Sequence, residues 1–196
     1  MTQMQHFKAA DYPRMPWKNG AGSTLEIARD TGAGLDGFGW RLSIADVGAD
    51  GGFSAFNGYQ RIITVLEGEG MQLTVDGQVS RPLRQFDAFA FSGDSEVDCR
   101  LLGGAIRDFN LIYSPVRYLA RLQWLSLEQP QRFFSSAATV LLFSATQGLE
   151  LRRDGASLAE VGRYDCLRIE GEAELAAFEL RAEAGGACCL IELLPR

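Results

Sequence analysis

The sequence predicts an all-β fold made of two similar units. Short runs of alternating apolar and polar residues, separated by glycine turns, follow one another along the 196 residues, a spacing typical of β-sandwiches and barrels. Helical periodicity is weak throughout except in "VRYLARLQWLSL", which fits an extended crossover equally well. The turn residues of the first half also recur in the second half, which indicates an internal duplication.

The strands can be placed in chain order from these patterns. The stretches "STLEIARD" and "WRLSIADV" alternate apolar with polar residues and predict half-buried strands. A buried run follows in "RIITVLEGEG" and ends at a glycine turn, and "MQLTVDGQ" ends at Asp76-Gly77, a dipeptide that favours a tight hairpin. The stretches "FDAFAF" and "RDFNLIY" complete the strands predicted for the first half.

Residue matches at a constant offset indicate the duplication. The stretch "GMQLTVDGQVSRPLRQFDAFAFSGDSEV" begins at Gly70 and "GLELRRDGASLAEVGRYDCLRIEGEAEL" begins at Gly148, so the two starts differ by 78 residues. At this offset the matched pairs are Leu73 with Leu151, Asp76-Gly77 with Asp154-Gly155, Phe86-Asp87 with Tyr164-Asp165, and Gly93 with Gly171. We therefore predict two similar β-barrel units, residues 1–113 and residues 118–196, packed together.

Composition and charge exclude several classes of function. The net charge of −6 disfavours nucleic acid and anionic membranes as partners, and no apolar run approaches the length of a membrane span. The first residues lack the basic end and apolar core of a signal peptide, so the sequence predicts a cytoplasmic protein. The four cysteines contain no C-x-x-C pair and are expected to be buried, reduced thiols. His6 is the single histidine, which argues against Ser-His-Asp catalysis and histidine metal sites.

The stretch "VLEGEGMQLTVDG", followed by "FDAFAFSGD", resembles a cupin, a small antiparallel barrel in which a histidine pair, a glutamate and a third histidine hold a metal. The resemblance registers four residues of each half on these ligand positions. They are Ser54, Phe56, Arg61 and Val97 in the first half, and Arg132, Phe134, Thr139 and Leu175 in the second. Phenylalanine and valine cannot ligate, and the permanent arginine cation repels a divalent metal. We therefore predict a metal-free bicupin with no cofactor.

A closer resemblance appears when the N-terminal motifs are included. The stretches "PWKNGAGSTLEIARD", "FGWRLSIADVGADGGFSAFNGYQRIITVLEGEG", "FAFSGD" and "GGAIRDFNLIY" occur in this order in the HutD/Ves family of bicupin-like proteins. The chain resembles the HutD members most, densely in its first half and loosely in its second. This resemblance implies a regulatory role in histidine catabolism and a small carboxylate ligand, such as urocanate or a formylated glutamate. It implies no established catalytic activity.

Arg61 is the leading candidate for binding the carboxylate in the first unit. It stands at an inward-facing ligand position of the cupin register, and a guanidinium can hold a carboxylate through two parallel hydrogen bonds. Ser54 shares the inward register with Phe56, so its hydroxyl could complete the site. A buried ion pair between Arg61 and an acid such as Glu26 or Asp94 is an equally good interpretation, and the two are compatible.

The stretch "MPWKNGAGST" is expected at the mouth of the first unit, as the family resemblance implies. Its lysine precedes the glycines and a strand pattern follows them, so a Walker phosphate loop is excluded. Lys18 would add positive charge, Asn19 a donor and an acceptor, and Trp17 a flat apolar wall. The strand that follows carries Thr24 and Glu26. A solvated lysine and a core tryptophan are the structural alternative, which the residues leave open.

Four further polar residues are candidates for the same lumen. Arg41 lies on the polar face of "WRLSIADV", and this face could line the lumen or meet solvent. In "GGAIRDFNLIY", Asp108 and Asn110 share one face and could hydrogen-bond an imidazole or an amide, although capping of a strand end explains them equally well. Asp94, in "FSGD", is expected to be a turn residue first and a pocket residue second.

Three classes of function follow from these residues. A small-molecule binding protein would sense or buffer a pathway acid in the first unit, because the second unit has Thr139 at the position of Arg61 and the apolar "CCLI" at the matching strand end. A metal-independent hydrolase or isomerase would need a carboxylate with a raised pKa at Glu26, Asp94 or Asp108. A purely structural or partner-binding protein would need neither cations in the lumen nor the polar stretch "MPWKNGAGST". We expect binding without turnover, and an exposed apolar sheet edge would favour a homodimer.

Overall fold

The computed structural model describes residues 3–17, 20, 22–32, 37–171 and 174–196 of the chain. Within these residues the secondary structure consists of 19 β-strands and one 3-10 turn at Ala9–Asp11, and it includes no α-helix. The predicted all-β class is therefore confirmed. None of these residues forms a helix with the length and apolar character needed to cross a membrane.

The chain divides into two compact units. The first unit is Pro13–Arg117, and the second unit is Tyr118–Arg196 together with the N-terminal residues up to Tyr12. This division differs at the N terminus from the division predicted from the sequence, in which the first unit began at residue 1. The reason is that the first strand, β1 (Gln3–Phe7), pairs with a strand near the C terminus.

The first unit contains ten strands in two antiparallel sheets. They are β2 (Arg14–Pro16), β3 (Gly22–Arg29), β4 (Trp40–Val47), β5 (Gly51–Gly52), β6 (Gln60–Glu67), β7 (Met71–Val75), β8 (Gln78–Val79), β9 (Ala88–Ser92), β10 (Val97–Leu101) and β11 (Ile106–Tyr113). The larger sheet has the order β2-β3-β4-β11-β6-β9, and the smaller one has the order β5-β10-β7-β8.

The core of the first unit lies between its two sheets. Alternate residues of the strands point to opposite sides, so each strand contributes every second side chain to the core. The buried apolar residues of this core are Ala45, Val47, Ile63, Val65, Met71, Leu73, Leu83, Phe91, Val97, Cys99 and Ile106. We call the side of the larger sheet that carries Ala45, Ile63 and Ile106 its inner face.

The second unit repeats this arrangement with nine strands. After β1 they are β12 (Tyr118–Ser126), β13 (Gln131–Ser135), β14 (Thr139–Ser144), β15 (Leu149–Arg153), β16 (Ala156–Val161), β17 (Cys166–Glu170), β18 (Ala176–Ala182) and β19 (Ala187–Pro195). The sheet orders are β1-β17-β14-β19-β12 and β13-β18-β15-β16, with an apolar core between them. All four cysteines of the chain are buried and free, as predicted.

In addition to the pairing of β1 with β17, the carboxylate of Asp165 binds the N-terminal segment. The backbone N–H of Ala9 donates to Asp165 Oδ1 at 2.8 Å, while His6 Nε2 and Lys8 Nζ lie 3.0 and 3.2 Å from Oδ2. Burial opposes ionisation of Asp165, but these contacts hold its pKa below its ordinary value. The single histidine of the chain therefore has a structural role here.

The two units share their strand order and their turn conformations. The sequence β4-β11-β6-β9 corresponds to β12-β19-β14-β17, and β5-β10-β7-β8 corresponds to β13-β18-β15-β16. Four described non-glycine residues have positive φ: Asp76 and Asp154 at 48° and 53°, and Phe86 and Tyr164 at 62° and 65°. Each pair is 78 residues apart, so the turn residues that match in sequence also match in backbone conformation.

The units are pairs of open sheets, so the predicted closed barrels are wrong. Each sheet ends in strands with a hydrogen-bonded neighbour on one side, such as β2 and β9 in the larger sheet of the first unit. Closure would require those two edges to pair with each other. The core is enclosed by the packing of two sheets instead.

Candidate functional site

Polar side chains interrupt the apolar inner face of the first unit. Residues opposite each other on antiparallel strands point to the same side of the sheet. Asp108 is opposite Ala45 and Asn110 is opposite Ile63, and both partners belong to the core. The polar residues on this face are Thr24, Glu26, Arg41, Ser43, Arg61, Asp108 and Asn110. Of the alternatives left open for Arg41, Asp108 and Asn110, the structure supports the interior position.

Arg61 lies at the centre of this polar group. It is 6% exposed, and its side chain extends from β6 toward the loop that follows β5. Its Nη1 donates to the carbonyl of Ser54 and its Nη2 to Oδ1 of Asn110, both at 3.0 Å. Its Nε is buried and has no hydrogen-bond partner among the described residues. The Nε–H of the guanidinium is therefore a buried donor that remains available.

Three phenylalanine rings surround the guanidinium. Its central carbon lies 5.7, 5.3 and 5.0 Å from the ring centres of Phe53, Phe56 and Phe91. Such contacts stabilise a cation through the negative ring faces while removing it from water. Burial lowers the pKa of Arg61 to about 10, against the attraction of Asp108, so the side chain stays charged at neutral pH.

Asn110 connects Arg61 to a buried acid. Its Nδ2 donates to Oδ1 of Asp108, which is 1% exposed. Burial raises the pKa of Asp108 to about 7, although attraction by Arg61 opposes the shift and repulsion by Asp46 adds to it. Arg61, Asn110 and Asp108 thus form a continuous series of hydrogen bonds across the inner face, which we call the polar chain.

Glu26 belongs to a separate ionic group and does not pair with Arg61. Arg41 Nε donates to Glu26 Oε2 at 2.8 Å, and Arg29 Nε donates to Oε1 at 2.7 Å. Burial opposes ionisation of Glu26, but these two arginines hold its pKa below its ordinary value. The carboxylate is therefore fully engaged. The predicted ion pair between Arg61 and Glu26 or Asp94 is wrong, and the acid that Arg61 reaches, through Asn110, is Asp108.

Two other predicted site residues take different roles. Ser54 is exposed, and it is its carbonyl rather than its hydroxyl that contacts Arg61. Asp94 is also exposed, and its Oδ1 accepts a hydrogen bond from the backbone N–H of Gly58 at 2.9 Å. Asp94 therefore closes a loop, the first of the two roles expected for it. Phe56 does reach the polar chain, through the ring contact to Arg61.

Of the stretch "MPWKNGAGST", Trp17 packs against the core of the first unit. Trp17 is half-buried beside the core, and its Nε1 donates to Thr24 Oγ1 at 2.8 Å. A Cβ on Gly22 would lie 3.0 Å from the Trp17 ring and 2.1 Å from the carbonyl oxygen of Asp46, so this position requires glycine. The interpretation of Trp17 as a core residue agrees with this arrangement. Lys18 and Asn19 lie outside the described residues.

A second ionic group, which the sequence patterns did not predict, lies on the opposite side of the larger sheet of the first unit. Ser23 and Arg107 both lie opposite Asp46 on neighbouring strands, and they line a groove of about 650 Å³. Arg14 Nη1 donates to Asp46 Oδ2 at 2.6 Å, and Arg107 Nε donates to Oδ1 at 2.8 Å. The polar alternation of "WRLSIADV" places Asp46 on this side, but it does not identify the two arginines that bind it.

The second unit has an apolar residue at the position of Arg61. Arg61 is opposite Phe91, which matches Ile169 at the offset of 78, and Ile169 is opposite Val140. Val140 therefore takes the place of Arg61. The prediction that Thr139 stands there is wrong by one residue.

The rest of the polar chain is also absent from the described part of the second unit. By the same strand register, Leu190 takes the place of Asn110 and Cys188 takes the place of Asp108. Both belong to the apolar core of their unit, as Val140 does. Burial raises the pKa of Cys188 to about 12, so its thiol is neutral.

The chemistry that the polar chain offers is anion binding and proton storage. It presents one buried cation with a spare donor and one acid that can gain or lose a proton near neutrality. In the described ranges, no group of three or more His, Cys, Asp or Glu side chains is arranged to hold a metal ion.

Comparison with known proteins identifies the family. The family model described as HutD matches residues 9–190. The chain belongs to the HutD family. A 21.2 kDa protein encoded in the hutC 3′ region of Pseudomonas putida is 62% identical over 196 residues, which cover 100% of both chains. The resemblance found in the motifs is thus confirmed, and the HutD family is linked to the histidine-utilisation locus.

Two solved structures of Pseudomonas proteins share the architecture. A conserved protein from Pseudomonas aeruginosa PAO1 is 58% identical, with a TM-score of 0.95 over 98% of this chain and 99% of that one. HutD from Pseudomonas fluorescens SBW25, obtained in a formate condition, is 56% identical, with a TM-score of 0.86 over 99% and 100%. Protein Ves from Escherichia fergusonii is 39% identical over 56% of this chain and 57% of its own.

More distant structures share the fold alone. They are cupin-like all-β proteins, among them YhhW from Escherichia coli, which is 11% identical with a TM-score of 0.69 over 99% of both chains. The predicted relation to cupins is therefore confirmed at the level of fold.

Proposed function

We propose that this HutD-family protein binds a small carboxylate of histidine catabolism at Arg61, and that it regulates or buffers the pathway by doing so. The candidates are urocanate and a formylated glutamate. The observation that carries the proposal is the spare Nε donor of a buried guanidinium that forms no ion pair with a carboxylate among the described residues. A buried cation without a directly bound anion is costly, and a ligand carboxylate would offset that cost.

The surroundings of Arg61 favour a small, flat anion. The three phenylalanine rings would contact the apolar part of the ligand while the guanidinium holds its charged end. A desolvated arginine–carboxylate pair of this kind gains from both the charge and the fixed geometry of the donors.

We also infer that the two units descend from one duplicated cupin-like ancestor and that both work without a metal. The shared strand order and the paired positive-φ residues support the duplication. An arginine in the first unit and a valine in the second occupy equivalent inner-face positions, and neither side chain ligates metals. In this view the second unit supports the fold while the first binds the ligand. The cytoplasmic location and the homodimer stay predictions from the sequence.

A metal-independent hydrolase or isomerase acting on the same acid is the second candidate. The observation that favours it is Asp108, a carboxyl whose pKa of about 7 suits general acid–base work. Incubation of each candidate acid with the protein, followed by chromatography, separates the two functions. A new product formed at a rate proportional to protein concentration would favour the enzyme.

Calorimetry with urocanate and with N-formylglutamate tests the binding function. Arg61→Ala should weaken binding at least tenfold, because losing one partner of a desolvated charge pair costs on the order of 2–5 kcal/mol. Val140→Ala, the equivalent truncation in the second unit, should leave affinity unchanged. If a folded Arg61→Ala protein, checked by circular dichroism, binds as tightly as the wild type, the anion site lies elsewhere.

A further inference from the structure

The polar chain carries one cation and one acid, both removed from water. Arg61 is 6% exposed and Asp108 is 1% exposed. Asn110 joins them, since its oxygen accepts from Arg61 and its nitrogen donates to Asp108. With Asp108 ionised, the chain as a whole is electrically neutral.

The other charged and titratable groups around Asp108 are balanced or neutral. On β4, Asp46 repels Asp108 but is itself bound by two arginines, and Arg41 is ion-paired with Glu26. On β10, in the facing sheet, burial and the charge of Asp108 raise the pKa of Cys99 to about 12, so that thiol stays protonated. None of these groups supplies a free positive charge to the polar chain.

A carboxylate bound at Arg61 would upset this balance. The guanidinium would then face two anions, the ligand and Asp108, and one of them would be buried without a counter-charge, which is strongly unfavourable. A proton on Asp108 removes the excess charge. The protonated carboxyl can keep its bond from Asn110, because Oδ1 still accepts while Oδ2 carries the proton.

We propose that binding of a carboxylate at Arg61 is coupled to the uptake of one proton from solvent by Asp108. This inference rests on the proposed function and adds the condition under which the site holds its ligand. Asp108 acts on the ligand through Asn110 and Arg61, and is therefore a positioning residue that sets affinity as a function of pH.

The coupling has a defined direction. The carboxyl of the free protein is half-protonated at about pH 7, so below about pH 6 the proton is already in place and affinity should not depend on pH. Above about pH 7, each binding event requires Asp108 to take up one proton from solvent, and affinity should fall about tenfold per pH unit.

Calorimetry with N-formylglutamate measures the proton directly, since both ligand carboxyls stay ionised above about pH 6. Titrations at pH 8 in phosphate and in Tris differ in heat by the number of protons taken up times the difference between the ionisation enthalpies of the two buffers. We expect close to one proton per ligand at pH 8 and well under half of one at pH 6. Asp108→Asn should bind without proton uptake, with an affinity that is the same at pH 6 and pH 8. Asp94→Asn, which alters an exposed acid of the same unit, should keep the coupling.

The possible results separate this inference from the function on which it rests. Binding to the wild type at pH 8 without proton uptake would overturn the coupling and leave the binding function intact. Failure of the folded wild type to bind urocanate or N-formylglutamate at either pH would overturn both. If Asp108→Asn does not fold, the two-buffer measurement on the wild type decides alone.

Discussion

Replacing Asp108 by asparagine should stabilise the free protein at neutral and alkaline pH, by an amount that depends on pH. Burial raises the pKa of Asp108 from 3.8 to about 7 in the fold. The unfolded chain therefore releases this proton near pH 4, whereas the folded protein holds it until about pH 7. The stability that the protonated carboxyl contributes is fully present below about pH 4 and is lost as the pH rises through about 7.

The size of the effect follows from the two pKa values. A difference of one between folded and unfolded pKa corresponds to about 1.4 kcal/mol, so the change from 3.8 to about 7 corresponds to about 4 kcal/mol by pH 8. About 2 kcal/mol of this is already lost at pH 5, because the unfolded chain is ionised there. Asparagine has nearly the same shape, cannot ionise and still accepts the hydrogen bond from Asn110.

Urea unfolding of the wild type and Asp108→Asn at pH 5, 6, 7 and 8 measures this. The free energy of unfolding of the variant, relative to the wild type, should rise by about 2–3 kcal/mol between pH 5 and pH 8. Asp94→Asn, an exposed acid, serves as the control and should show no comparable rise. A difference that stays constant or shrinks with rising pH would mean that Asp108 is ionised throughout in the fold, and the reasoning above would be refuted.

Three further substitutions test other parts of the structure, each by chemical denaturation. Glu26→Gln should lower the free energy of unfolding by about 3 kcal/mol at pH 7, because it leaves the buried Arg41 without its carboxylate. A change near zero would show that water can replace the carboxylate as the partner of Arg41. Gly22→Ala should cost about 1–3 kcal/mol, because its Cβ would lie 2.1 Å from the Asp46 carbonyl oxygen; unchanged stability would contradict that contact. Asp165→Asn should destabilise at pH 7 and much less at about pH 3, because the stability from a carboxylate with a lowered pKa is lost as the pH falls; equal losses would contradict the ionic role.

Strands and turns could be predicted from the sequence because they depend on neighbouring residues. The hairpin signal Asp76-Gly77 is a clear case. Strand β7 ends at Val75 and β8 begins at Gln78, and both turn residues have positive φ, at 48° and 79°. These are the conformations that a two-residue hairpin requires and that aspartate and glycine tolerate.

The partners of the buried charges could not be predicted in the same way. Strand alternation places Arg61 on the inner face, but it does not say which strand lies beside β6. That neighbour is β11, so Arg61 meets Asn110 and, through it, Asp108, instead of Glu26 or Asp94. The choice depends on sheet order, which joins residues far apart in the chain.

The two units differ by one residue in the distance between corresponding strands, and this difference explains why the constant offset selects the wrong counterpart of Arg61. Arg61 precedes the core residue Met71 by ten positions, whereas Val140 precedes the equivalent Leu149 by nine. A constant offset of 78 ignores this difference and selects Thr139, whose side chain points to the other side of its sheet. Because the side-chain period of a strand is two, a shift of one residue exchanges the two faces.

The pairing of β1 with β17 also affects the order in which the chain can fold. His6 and Asp165 are 159 residues apart in sequence, so the first strand leaves the ribosome long before its partner exists. The first unit can fold meanwhile, but the second cannot complete its larger sheet until Cys166–Glu170 has been synthesised. Removal of β1 would leave β17 as an exposed edge, open to pairing with another chain. We therefore expect deletion of β1 to impair a late step of folding and to promote aggregation.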